Sequence, residues 1–227
     1  MQAREKSESA LATLCESYRQ PLLILLRSKL AQHGRPIHLA EDQVQGFMLH
    51  LLSRDFLQNV SPDKGRFRTF LKSCIDNYLR DLADKEKAAK RGGGKAFASL
   101  DETNEENEKI HDPASLQCTP DEDFDKAWAR TLLTNSLLRL EQECNRQGHE
   151  QLYTEIQPIM YADETSSSYR DVGEKLGKTE AAVKVAAHRI RNRLGEIVRE
   201  EVRQTVGNEE DWKEEVRYLI SLFGRKV

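Results

Sequence analysis

Apolar residues recur at helical spacing along most of the chain, and no stretch alternates apolar and polar positions as a half-buried strand would. Leu11, Leu14, Tyr18, Leu22, Leu25 and Leu26 predict one long helix, with Pro21 inside it at a point where a bend is expected. A second helix is predicted over 40–52. Val44, Phe47, Met48 and Leu51 form its inward side, and Glu41, Asp42 and Gln45 its outward side. Gly46 costs that helix about 1 kcal/mol relative to alanine. After the loop residues Ser61, Pro62, Asp63, Lys64 and Gly65, a third helix starts near Phe67, and Phe70, Leu71, Cys74, Ile75, Tyr78, Leu79 and Leu82 continue its apolar side. Trp128, Leu132, Leu133, Leu137 and Leu140 mark a fourth, and Leu152, Ile156 and Ile159 a shorter one. The fold class is all-α.

The pattern is sharpest over 168–194, which reads SYRDVGEKLGKTEAAVKVAAHRIRNRL. Val172 and Leu176 lie at i,i+4 on a first short helix. Gly177 then supplies a residue able to take positive φ where that helix stops, and Thr179 a side chain able to cap the next. Val183, Ala187, Ile190 and Leu194 form the inward stripe of the second helix. At about 100° per residue, Ala181, Lys184, Val185, His188, Arg189 and Asn192 point away from that stripe, with Arg191 and Arg193 at its flanks. Helix, tight glycine turn and basic helix is the helix-turn-helix pattern, whose second helix enters a DNA major groove. Ala181 and Val185 suit contact with thymine methyl groups. The plainer reading is a helical hairpin with a basic surface. His188 says little alone, because an exposed helical histidine usually has no special role.

Charge divides the chain further. Within 64–95, Lys64, Arg66, Arg68, Lys72, Arg80, Lys85, Lys87, Lys90, Arg91 and Lys95 outnumber Asp76, Asp81, Asp84 and Glu86. The stretch 96–125 inverts the sign, opens after Gly92, Gly93 and Gly94, contains Pro113 and Pro120, and has no apolar period. Its composition is that of a tether between two small helical domains. The net charge of −3 therefore averages over opposed segments. Cys15, Cys74, Cys118 and Cys144 are far apart and make no metal-ligand spacing, which points to reduced thiols, no metal site and a cytoplasmic protein. The longest apolar run, residues 21–26, is too short to insert in a bilayer, and the first residues lack the apolar core of a signal peptide.

Three motifs in order resemble a known family. Ala40-Glu41-Asp42-Gln43-Val44-Gln45 is similar to the A-E-D-L-V-Q motif of RNA polymerase sigma factors, and residues 67–81 are similar to their promoter-melting helix. Residues 169–194 look like the part that reads the −35 element. Order and spacing resemble the extracytoplasmic-function type, over residues 9–203. The resemblance implies a −10-reading domain at 1–94, an acidic flexible linker at 95–124, a −35-reading helix-turn-helix domain at 125–204 and a C-terminal extension at 205–227. It implies partners: core RNA polymerase, through its largest-subunit clamp helices and its flap region, and promoter DNA, with room for an anti-sigma protein or other regulator. Glu41, Asp42, Gln45 and Met48 match the surface that docks on the clamp helices. Asn77 matches the asparagine near the pocket for a flipped −10 base, and Lys64, Arg66, Arg68, Lys72 and Arg80 would hold the melted strand. Separated strands are bound by cationic tracks with aromatic platforms, for which Phe67 and Phe70 are candidates, although helix aromatics are more often core. Lys178, Thr179, Ala181, Lys184, Val185, His188, Arg189, Arg191 and Asn192 are the −35 candidates. An acidic linker in such a protein would line the polymerase's RNA exit path.

The chain departs from that family in three places. Gly46 stands where an acid is usual, Val185-Ala186 replaces the common Ser-Arg of the reading helix, and a further amphipathic stretch follows over 209–223, with Trp212, Val216, Leu219 and Phe223 on one stripe. That stretch either folds back on the second domain, docks a regulator or covers the DNA-reading face. A stand-alone helix-turn-helix regulator is the alternative function. An enzyme is not expected: no phosphate-cradling glycine loop follows a strand, no nucleophile or ligand cluster has the needed spacing, and no cofactor is implied.

Overall fold

The computed structural model describes the backbone at residues 2–51, 66–91, 119–160 and 166–224, and side chains at 17–51, 66–88, 119–160 and 169–222. Lys64, the loop at 61–65, the three glycines at 92–94, the acidic stretch to residue 118 and Cys118 lie outside them, as do the side chains of Leu11, Leu14, Cys15, Lys90, Arg91 and Phe223. The described residues are helices and short connections, with no strand among them. None of these helices is long and apolar enough to cross a membrane. They divide into two compact units between Trp128 and Ala129.

The first unit contains α1 (Gln2–Gln32), a 3-10 turn (Ile37–Leu39), α2 (Ala40–Leu51), α3 (Phe67–Arg91) and the opening turns of α4 (Pro120–Arg146). Helix α1 runs unbroken through Pro21 and ends where Gly34 takes φ +63°. Its Leu22, Leu25, Leu26 and Leu30 are buried, as are Val44, Phe47 and Leu51 of α2 and Leu71 and Ile75 of α3. The period-3.6 pattern thus becomes the core, as expected when each helix hides one stripe. Tyr18 meets Phe67 edge-on at 5.3 Å and stacks on Phe124 at 6.3 Å.

The start of α4 differs from expectation. Acidic composition extended the linker to residue 124, yet Pro120 is already the first residue of the helix. The reason is local. The peptide N–H of Glu122 donates to Thr119 Oγ1 at 3.3 Å, and that of Thr119 to Glu122 Oε2 at 2.9 Å, a capping box with Pro120 at the first helical position. Phe124 and Trp128, almost wholly buried, then pack in the first unit.

The second unit comprises the rest of α4, α5 (Glu150–Ile156), a 3-10 turn (Gln157–Met160), α6 (Ser166–Leu176), α7 (Glu180–Arg203) and α8 (Glu209–Gly224). Ile156, Met160, Tyr169, Val172, Val183 and Ala187 form one buried cluster, with Leu176, Ile190 and Leu194 against it. Leu140, Cys144, Tyr153 and Ile197 form a second. Burial raises the pKa of the Cys144 thiol, with a smaller contribution from Glu143. Helix α8 folds back on α7: Leu219 is buried, Trp212 Nε1–H donates to the Arg199 carbonyl at 3.3 Å, and Arg203 lies 4.7 Å above the indole. Glu215, on the same helix, is fully buried as well, which the apolar stripe did not foretell.

An ion-pair lattice ties α4 to α7. Arg193 makes a two-pronged contact with Glu143, at 2.8 and 3.0 Å, and reaches Glu196 and Glu200 at 2.9 and 3.3 Å. Arg139 binds Glu200 and, at 3.1 Å, Glu201. The hydrogen bond from Arg193 holds the Glu143 carboxyl below its ordinary pKa against the opposing effect of burial. The same partners, Glu143 first, raise the pKa of the Arg193 guanidinium.

Candidate nucleic-acid interface

In the second unit the geometry begins at the turn between α6 and α7. Gly177 takes φ +60°, where an L side chain is strained. The Lys178 peptide N–H donates to the Gly173 carbonyl at 2.8 Å, closing α6. Gly173 is needed for a different reason: a Cβ there would sit 2.7 Å from the Lys178 carbonyl oxygen, so the returning chain fits only against a bare α-carbon. Thr179 then starts α7, its hydroxyl oxygen accepting from the Ala182 N–H at 3.2 Å.

This turn fixes which side of α7 is presented. Val183 and Ala187 are fully buried. Lys178, Thr179, Ala181, Lys184, Val185, His188, Arg189 and Asn192 are all exposed, with Val185 at 52%. The face is internally ordered. Lys184 pairs with Glu180 at 2.7 Å and lies 5.8 Å above the Tyr169 ring, and Asn192 Nδ2 is 3.1 Å from His188 Nε2. Ionic and polar tips therefore surround the apolar Ala181 and Val185, an arrangement suited to a groove edge with phosphates on either side. Helix α8 packs against the C-terminal part of α7, at Arg199 and Arg203, and leaves this face open.

Two flanking arginines are placed otherwise. Arg191 is half-buried and donates to the Tyr169 hydroxyl at 2.7 Å and the Ile159 carbonyl at 3.4 Å, so it braces α7 against α6 and the preceding turn. Arg193 is the centre of the lattice with Glu143. Both turn toward partners within the unit because carboxylate and phenol oxygens lie within their reach, and neither extends the open face.

In the first unit the candidates separate in the same way. Glu41, Asp42 and Gln45 are exposed along α2 and Met48 is half-buried; Glu41 lies 3.7 Å from Arg27. Leu49, 72% exposed, joins their side of the helix and was not singled out by the sequence pattern. Gly46 has a structural cause. A Cβ there would fall 2.6 Å from the Tyr78 hydroxyl, which donates to Gln43 Oε1 at 3.2 Å. Any larger residue at that position requires the Tyr78 side chain to shift.

On α3, Asn77 and Arg80 are exposed, and Arg80 donates to Asn77 Oδ1 at 3.2 Å. Arg66 is half-buried at the helix start. Phe67 and Phe70 are half-buried, with ring centroids 6.1 Å apart, which favours packing over base stacking for this pair. Arg68 and Lys72 depart furthest from expectation. Arg68 is 5% exposed and bonded to Asp125 at 2.8 Å. The Lys72 ammonium, its side chain 14% exposed, donates to Asp125 at 2.9 Å. A cation reads as nucleic-acid-binding in sequence, but here a carboxylate fifty-odd positions away has taken it inside.

No group of histidines, cysteines and carboxylates among the described residues is arranged to hold a metal ion. No protein-family model matches the chain, and no curated protein or solved structure matches it either.

Proposed function

We propose that the protein is a transcription initiation factor of the two-domain sigma type, which carries core RNA polymerase to promoters and opens the −10 region. The observation that carries this reading is the open face of α7, where Lys184, His188, Arg189 and Asn192 surround Ala181 and Val185 beside a capped glycine turn. In this reading α6, the turn and α7 are a helix-turn-helix that places α7 in the major groove of the −35 element. Lys184 and Arg189 contact bases or phosphates, and Val185 packs on a thymine methyl. Helix α2 docks on polymerase through Glu41, Asp42, Gln45 and Met48, and α3 offers Asn77 and Arg80 to the melted strand. The acidic stretch serves as the linker between the two domains. Each half then needs only modest affinity, because one polymerase presents both to the same DNA at high effective concentration.

Run-off transcription with core polymerase across the organism's promoters tests this. The chain is expected to confer start-site-specific transcripts, Lys184→Ala to weaken promoters that depend on the upstream element, and Asn77→Ala to slow opening with upstream binding intact. A chain that grips duplex promoter DNA tightly without polymerase, and gives no specific transcript with it, is instead a stand-alone regulator.

A further inference from the structure

Two of the cations that α3 would offer a DNA strand are held by one stripe of α4. Asp121, Phe124, Asp125 and Trp128 recur at three- and four-residue spacing, the same side of a helix. Arg68 bonds to Asp125 at 2.8 Å with both side chains almost fully buried, 7% and 6% exposed. Lys72 donates to Asp125 at 2.9 Å and lies 3.7 Å from the Asp121 carboxylate. The rings complete the site: Lys72 Nζ is 5.5 Å from the centre of Phe124, and Arg68 Cζ is 5.6 Å from that of Trp128.

A buried ion pair adds little stability over apolar side chains of similar volume, because the desolvation of both charges offsets their attraction. Packing alone therefore gives no reason for two cations on the buried Asp125, and Asp121, about half exposed, adds a carboxylate 3.7 Å from both Lys72 and Lys29. What the stripe does reproduce is the chemistry of a nucleotide strand, with anionic oxygens for a guanidinium and an ammonium beside flat rings.

We propose that residues 119–128 are an intramolecular competitor for single-stranded DNA. Closed on α3, they occupy Arg68 and Lys72 with Asp125 and Asp121; displaced, they free both cations for phosphates of the strand. This rests on the reading of α3 as the strand-binding helix. In the closed state Asn77 and Arg80 remain exposed on the same helix, so a strand can engage there first and then contest the two covered cations.

The test is equilibrium binding of a labelled single-stranded oligonucleotide to the full chain over a range of salt. Asp121→Asn with Asp125→Asn is expected to tighten binding about tenfold or more. It should steepen the log–log salt dependence by about 1.4, two phosphates at about 0.7 each. Adding Arg68→Gln and Lys72→Gln is expected to remove both gains. An unchanged affinity and slope, a gain that survives loss of the two cations, or no binding by either chain overturns the proposal. A second measurement leaves the stripe intact. In a Trp212→Phe chain, Trp128 is the remaining tryptophan, and saturating oligonucleotide is expected to at least double its quenching by acrylamide; unchanged quenching with oligonucleotide bound overturns displacement. Run-off transcription separates the two readings. Tightened oligonucleotide binding without specific transcripts sinks the promoter role and leaves the competitor standing, and specific transcripts without the binding change do the reverse.

Discussion

The turn before α7 gives the sharpest quantitative prediction, because its two glycines are required for different reasons. At Gly177 the space is open, with no heavy atom within 4 Å of an added Cβ, but φ is +60°. Gly177→Ala therefore bears only the left-handed backbone strain, about 1–2 kcal/mol, and Gly177→Asn costs less, since asparagine tolerates that region. At Gly173 φ is ordinary, and alanine would gain about 1 kcal/mol of helix propensity. Its Cβ, however, meets the Lys178 carbonyl oxygen at 2.7 Å, and that oxygen belongs to the backbone of the turn. Such overpacking costs about 1–3 kcal/mol, so Gly173→Ala is net destabilising by about 1 kcal/mol. Gly173→Asn is worse than Gly173→Ala, because it keeps the clash and loses part of the propensity gain. Urea unfolding of the full chain, followed by Trp212 fluorescence in a Trp128→Phe background, measures all four. The prediction is an inversion: asparagine is the milder change at 177 and the harsher one at 173. A stabilising Gly173→Ala would refute the steric argument outright.

Three further outcomes follow from the same physics. Gly46→Ala puts a methyl 2.6 Å from the Tyr78 hydroxyl; it should cost about 1–2 kcal/mol, and Tyr78→Phe should recover much of that in a double-mutant cycle by unfolding. The Glu143 carboxyl is held below its ordinary pKa of 4.5 chiefly by Arg193. Its contribution is thus complete above about pH 4.5 and is lost as pH falls through the lower folded value. Stability should accordingly fall more steeply with acid in the wild type than in Glu143→Gln, and parallel acid titrations would dismiss the pair. Truncation after Gln204 removes buried Leu219 and the Trp212 contacts with Arg199 and Arg203. At about 1.5–3 kcal/mol per large buried side chain, it should lower the unfolding midpoint without strengthening DNA binding, and tighter DNA binding by the truncated chain would restore the idea of a lid.

Periodicity made the all-helical class legible, and it located the buried stripe of α7 to the residue, because Val183 and Ala187 can face inward only if Lys184, Val185 and His188 do not. Gly177 and Thr179 were legible for the same kind of reason, since one local conformation and one local hydrogen bond define each. Long-range pairing was not legible. Nothing local in Arg68 distinguishes it from Arg80, yet one is buried on Asp125 and the other is exposed. Nor does anything local show that Arg191 bonds to Tyr169 and Arg193 to Glu143. The start of α4 is an intermediate case. Thr119, Pro120 and Glu122 spell a capping box, but an acidic average over the surrounding stretch obscures a signal four residues long.

The cations that turn inward share a direction. Arg68, Lys72, Arg191 and Arg193 are each turned to an oxygen of the protein itself. Lysine and arginine have long apolar stems, so a cation on the flank of a helix reaches whichever anion or phenol the neighbouring element presents. Exposure therefore divides the candidates in a way that charge does not. What remains outward is a shorter set: Lys178, Thr179, Ala181, Lys184, Val185, His188, Arg189 and Asn192 at the turn and on α7, Asn77 and Arg80 on α3, and Glu41, Asp42 and Gln45 on α2. Each group lies along one side of one helix. Substitutions in them should change binding with little change in stability, whereas Arg191→Ala and Arg193→Ala should do the opposite.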